Sequence, residues 1–137
     1  MKFLSVSYCS IIFLLLIQCK TEVKNEKVSD PEQQIESRLI SVDKAKALAA
    51  TGDYQFIDLR TPEEIVESGK IIGALELDFR SDSFKKDFNN LDKKKGYVLY
   101  CRSGGRSSDA FKTAISMGFE NIYDLDGGFT AWSEINK

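Results

Sequence analysis

Residues 97–118, YVLYCRSGGRSSDAFKTAISMG, constrain the fold more than any other stretch of the chain. Four apolar residues, Tyr97-Val98-Leu99-Tyr100, follow Gly96 and read as a short buried strand. Cys101 stands at its end, and Arg102-Ser103-Gly104-Gly105-Arg106 comes next. Beyond that, Ala110, Phe111, Ala114 and Ile115 recur at helical spacing, and Gly118 supplies a stop. Ser107 or Ser108 is expected to cap this helix. The unit is a strand, a tight loop and a helix, with a thiol where the strand ends.

That placement has chemical consequences. Gly104 and Gly105 let the backbone turn sharply and aim successive N–H groups inward. The helix N-terminus adds partial positive charge at the same spot, and Arg102 and Arg106 flank the loop. A thiol held there is expected to ionise near neutral pH. The same cradle suits an anionic substrate or an anionic intermediate on sulfur. A cysteine after an apolar strand is, taken alone, more often a small buried hydrophobe. The glycine pair, the two arginines and the serine-rich helix start shift the balance toward a reactive group.

The rest of the domain alternates strands with helices. Leu39-Ile40 is a short strand, and Ser41 caps a helix with Val42, Ala45, Leu48 and Ala49 on one face. Residues 54–58 form a strand that ends at Asp58. Thr61-Pro62-Glu63-Glu64 opens a helix with a capping box and proline at its first position; capping accounts for Glu64. Ala74 to Leu77 is the next strand, and Phe84, Phe88 and Leu91 mark a helix. Asn121 to Leu125 is the last strand, and Gly127-Gly128 turns into a short helix carrying Phe129 and Trp132 as core aromatics. This alternation predicts an α/β fold whose central sheet is mostly parallel, with helices on both faces. In such sheets ligands sit beyond the carboxyl ends of the strands. Cys101 and Asp58 both lie at such ends. Asp58 and Arg60 read as a buried ion pair that orders the loops around the site.

Missing residue types narrow the chemistry. The chain has no histidine, which removes Cys-His and Ser-His-Asp mechanisms and histidine-based metal sites. No metal and no cofactor is expected. The net charge is −2 and no basic patch stands out, so nucleic acid is not an expected partner.

The motif residues 101–107, Cys-Arg-Ser-Gly-Gly-Arg-Ser, resemble the active-site loop of the rhodanese (thiosulfate sulfurtransferase) family, whose usual form is Cys-x-x-Gly-x-Arg. The resemblance extends upstream through Asp58-Leu59-Arg60-Thr61-Pro62-Glu63-Glu64 and Gly69-Lys70-Ile71-Ile72-Gly73-Ala74. Downstream it takes in residues 123–132, YDLDGGFTAW. Lys70 stands where the family usually has histidine. The resemblance spans residues 38–137 and implies a rhodanese-like fold. It also implies catalysis by Cys101, with the anion held by Arg102, Ser103, Gly104, Gly105, Arg106 and Ser107 and supported by Asp58 and Arg60. The implied partners are a small anionic sulfur donor such as thiosulfate and a thiol or cyanide acceptor.

Residues 1–18 have the pattern of a secretory signal peptide: Lys2 at the start, then the dense apolar run 11–17 and no acidic residue before Glu22. The end of that run, Leu16-Ile17-Gln18-Cys19, resembles the lipobox of bacterial lipoproteins, which makes Cys19 the expected lipidation site. Because the residue before that cysteine is normally small, an uncleaved signal anchor is the alternative. Residues 19–37 are charged and poor in apolar groups and read as a flexible tether reaching about 25 Å. The expected location is exported, in the periplasm or cell envelope, with the domain anchored at a membrane. Loss of Cys9 with the signal and lipidation of Cys19 would leave Cys101 as the one free thiol.

Three activities are compatible with this loop. The first is sulfur transfer through a Cys101 persulfide. The second is a membrane-tethered persulfide carrier or binding module acting on a protein partner. The third is a cysteine-dependent phosphatase or arsenate reductase, disfavoured because those loops place five residues between cysteine and arginine where this one places four.

Overall fold

The structure is a computed structural model that describes residues 38–135. The expected signal peptide, Cys19 and the tether through residue 37 lie outside the described residues. Among the described residues no helix is long and apolar enough to cross a membrane.

Five strands, β1 (Leu39–Ile40), β2 (Tyr54–Asp58), β3 (Leu75–Glu76), β4 (Gly96–Tyr100) and β5 (Asn121–Leu125), form one parallel sheet in the order β1-β5-β4-β2-β3. Among the described residues five helices connect or follow them: α1 (Val42–Thr51), α2 (Pro62–Ser68), α3 (Phe84–Asn89), α4 (Gly105–Ser116) and α5 (Gly128–Ile135). The alternating pattern read from the sequence is thus realised as an all-parallel sheet in the described region.

Strand alternation sorts the core into two layers. On one face Ile57, Leu99, Cys101 and Ile122 pack with Phe84, Phe88, Ala110, Phe111 and Ala114 of α3 and α4. On the other, Phe56, Val98, Tyr100 and Leu125 pack with Val42, Ala45 and Leu48 of α1 and with Phe129 and Trp132 of α5. Phe88 stacks on both Phe84 and Phe119, at 5.2 and 5.0 Å between ring centroids. Trp132 meets Phe56 edge-on at 5.7 Å and packs, partly buried, against this layer. Ala49, expected on the buried face of α1, is exposed.

One expected boundary is corrected. Neither Ser107 nor Ser108 caps α4: the helix begins at Gly105, and Gly104 is its N-cap at φ +107°. The glycine pair turns the chain so tightly that the cap falls at least three residues before the expected serine. Both serines then fall in its first turn. The peptide N–H of Ser107 is thereby brought against the sulfur.

Candidate active site

Register places the site. Asp58 pairs with Tyr100 and Leu99 with Asp124, so the ends of β2, β4 and β5 lie side by side at one rim of the sheet. Cys101 follows Tyr100 and is 1% exposed. Its Sγ accepts a hydrogen bond from the Gly104 N–H at 3.2 Å. Burial pushes the thiol pKa up. The N–H groups of Ser107, Gly104 and Ser103, with the Ser107 hydroxyl, pull it down, and the net result lies below the ordinary value. Peptide dipoles thus do in this chain what imidazole does in other thiol sites.

The outer side of the loop is pinned by α5. The Phe129 N–H donates to the Cys101 carbonyl at 2.8 Å, and the Thr130 N–H donates to the Arg102 carbonyl at 3.0 Å. The Thr130 hydroxyl adds a second donor to the Arg102 carbonyl at 2.9 Å. With the carbonyls drawn toward α5, the next N–H groups face the sulfur. Gly128 sits so close to these carbonyls that no side chain fits.

The two arginines differ. Arg102 is exposed and, with Arg60, Glu64, Glu67 and Phe129, lines an open cleft of about 470 Å³. Arg106, read from the sequence as an anion ligand, has both terminal nitrogens on Glu64, each at 2.7 Å. Glu64 therefore does more than cap. Its carboxylate closes the box with Thr61 and also holds the arginine of the loop across 42 residues of sequence. The periodicity of α2 gave no sign of this. The only available signal was an acid at the N-terminus of a helix leading away from the same sheet rim.

This ion pair makes a pH prediction. Hydrogen bonding to Arg106 holds the Glu64 carboxyl at about 2, against an ordinary 4.5. A depressed folded value stabilises the protein above the unfolded pKa, and that stability is lost as pH falls from 4.5 toward 2. The side chains are 17% and 24% exposed, so after allowance for screening the contribution is about 2 kcal/mol. Urea unfolding at pH 7 and pH 2.5 should show wild type losing about that much more stability than Glu64→Gln. Equal losses would mean that the pair contributes nothing.

Asp58 and Arg60 form the expected ion pair. Arg60 Nε and Nη2 donate to the two carboxylate oxygens at 2.9 and 2.6 Å, with exposures of 2% and 0% for Arg60 and Asp58. Arg60 also reaches Ser68 Oγ and the Gly69 carbonyl and lies 4.0 Å from the Phe129 ring centroid. It makes no hydrogen bond to Cys101 or to the loop amides. Lys70 pairs with Glu76 at 2.5 Å on the exposed edge. Among the described residues no cluster of acidic or cysteine side chains is arranged to hold a metal ion.

A parallel α/β sheet with a buried thiol cradled by peptide N–H groups at a helix start defines a cysteine anion-loop protein. Within that class the chain belongs to the rhodanese-like domain family, which matches residues 41–135. The thiosulfate sulfurtransferase GlpE of Pseudomonas entomophila is 36% identical over 98 residues, covering 71% of this chain and 85% of that protein. A rhodanese-related protein from Thermoplasma volcanium superposes with a TM-score of 0.61 at 26% identity, covering 72% of this chain and 92% of that one. A Rhodopseudomonas palustris protein described as a possible tyrosine phosphatase superposes at 0.62 and 31% identity, covering 76% and 86%.

Proposed function

We propose that this domain is a sulfurtransferase working through a Cys101 persulfide. The observation that carries the reading is the Sγ of Cys101 held at 3.2 Å by the Gly104 N–H at the start of α4. The thiolate attacks the outer sulfur of thiosulfate. A bond forms between Sγ and that sulfur, the S–S bond of the donor breaks, and its electron pair leaves with sulfite. The terminal sulfur of the persulfide is then the anion that the loop amides stabilise. A thiolate or cyanide attacks that sulfur, the Sγ–S bond breaks, and the Cys101 thiolate returns. Arg102, exposed at the cleft, steers the anionic donor.

Intact mass after thiosulfate treatment should show one added sulfur atom on wild type and none on Cys101→Ser. Sulfur transfer should fall by at least about a thousandfold in that variant. A folded, reduced wild-type protein that takes up no sulfur would overturn the reading.

A phosphatase is the second reading, favoured by the description of the R. palustris neighbour. Against it, four residues separate Cys101 from Arg106, a loop that suits one sulfur better than a tetrahedral phosphate. Turnover of an aryl phosphate, lost in Cys101→Ser, would support it.

We also propose that the domain is exported and tethered at a membrane by lipid on Cys19, or by an uncleaved anchor. The support is the apolar run 11–17 and the lipobox-like ending. The mass of membrane-extracted protein distinguishes the two forms.

A further inference from the structure

Glu67 stands where an acid is unfavourable. It lies in the last turn of α2, where the helix dipole disfavours negative charge and no basic residue offsets it. It is exposed, and it makes no hydrogen bond or ion pair among the described residues. The cleft of about 470 Å³ that it lines holds three other charged residues. Arg60 is paired with Asp58, and Glu64 with Arg106. Arg102, contributed by the thiol loop, is exposed, and its guanidinium has no partner among the described residues. The cleft therefore offers one free anion from α2 and one free cation from the loop.

This cleft meets both ends of the loop that carries the sulfur. Arg102 follows Cys101 directly, and its carbonyl is fixed by the Thr130 N–H at 3.0 Å and the Thr130 hydroxyl at 2.9 Å. Glu64, on the α2 side, holds Arg106 at the far end of the loop, with each terminal nitrogen at 2.7 Å. We propose that the cleft seats the sulfur acceptor, and that this acceptor is a small zwitterionic thiol. Its carboxylate pairs with Arg102 and its ammonium with Glu67. Glu67 is thus a specificity-determining residue that touches the acceptor away from the reacting sulfurs.

The donor does not account for Glu67. A dianion such as thiosulfate is attracted by Arg102 and repelled by Glu67. Once sulfite has left, Arg102 is open to a second anion, and an ammonium on the same molecule answers the free acid. The acceptor thiol, its proton lost to water, attacks the terminal sulfur of the Cys101 persulfide. A bond forms between those two sulfurs, the Sγ–S bond breaks, and its electron pair returns to Cys101 as thiolate. The acceptor leaves as a persulfide, and no further oxidant or reductant takes part. A thiol that lacks either charge takes sulfur by the same step with a weaker hold on the cleft.

The proposal rests on the sulfurtransferase reading, so its test has one arm with turnover and one without. With thiosulfate as donor, kcat/KM is measured for L-cysteine, for 3-mercaptopropionate, which lacks the ammonium, and for cysteamine, which lacks the carboxylate. Comparing ratios between proteins cancels the different basicities of the three thiols. In Glu67→Gln the ratio of cysteine to 3-mercaptopropionate should fall about three- to fivefold, the effect of one exposed ion pair, with the change in KM rather than kcat. Glu67→Lys should lower it further, and Arg102→Gln should lower cysteine against cysteamine. The second arm uses S-methyl-L-cysteine, which cannot accept sulfur. It should shift the amide NMR signals of Glu67, Ser68 and Arg102 in the wild-type chain and bind Glu67→Gln more weakly by about the same factor. The analogue 3-(methylthio)propionate should bind both proteins alike. An unchanged cysteine ratio in Glu67→Gln, or S-methyl-L-cysteine that binds neither protein or both equally, would overturn the proposal. If S-methyl-L-cysteine binds as expected but thiosulfate adds no sulfur to Cys101, the sulfurtransferase reading fails and the zwitterion site stands.

Discussion

Asp58→Ala is expected to cost about 3–5 kcal/mol of folding stability, a large part of the 5–15 kcal/mol typical of a small domain. The lost contacts are only part of the cause. Arg60 is 2% exposed and holds Asp58 through two nitrogens. Its remaining acceptors, Ser68 Oγ and the Gly69 carbonyl, are neutral. Removing the carboxylate strands a guanidinium against the Phe129 ring with no counter-charge. If the loss comes from the stranded charge, removing both members should recover much of it. Urea unfolding of Asp58→Ala against the double variant Asp58→Asn, Arg60→Met tests this. The double variant should be clearly the more stable. A loss below about 1 kcal/mol in Asp58→Ala would show that water reaches Arg60.

The legible parts of this fold are those set by local rules. Residues 54–58 and 121–125 read as strands because apolar residues cluster there between turn residues, and both strands have the expected bounds. The capping box at Thr61 and the proline at the first turn of α2 act within four residues of one another. The Asp58–Arg60 pair was also readable, since two residues apart at a strand end can share one rim. The start of α4 departs from the local rule because serine is the usual cap, whereas here glycine at φ +107° takes that position. The remaining features depend on which strand lies beside which. Glu64 meets Arg106 only because α2 and the loop after β4 converge at the same rim. Asp124 is buried because it lies in β5, whose register sets it beside Leu99 of the central strand β4. Within its own strand it reads as a stray polar residue.

Gly128→Ala is expected to damage stability and thiol chemistry together. Gly128 has φ +56°, a conformation that costs an L-residue about 1–2 kcal/mol. That strain is the smaller term. A Cβ placed there would lie 2.6 Å from the Cys101 carbonyl oxygen and 2.9 Å from that of Arg102. Both are backbone atoms in the loop that holds the thiol, and neither has a rotamer to yield. They must move, and with them the hydrogen bonds from Phe129 and Thr130 that keep these carbonyls turned away from the sulfur. The Gly104 N–H that faces Sγ belongs to the same short loop and loses its aim. Gly73 provides the comparison: its φ is +77° and a Cβ there meets nothing within 4 Å, so Gly73→Ala carries the strain alone. Denaturant unfolding should therefore place Gly128→Ala at a loss of about 3 kcal/mol or more and Gly73→Ala near 1 kcal/mol. Titration of the Cys101 thiol should move toward the ordinary alkaline value in Gly128→Ala and stay at the wild-type value in Gly73→Ala. Equal losses in the two variants, with an unmoved thiol, would show that the loop does not depend on the close approach of α5.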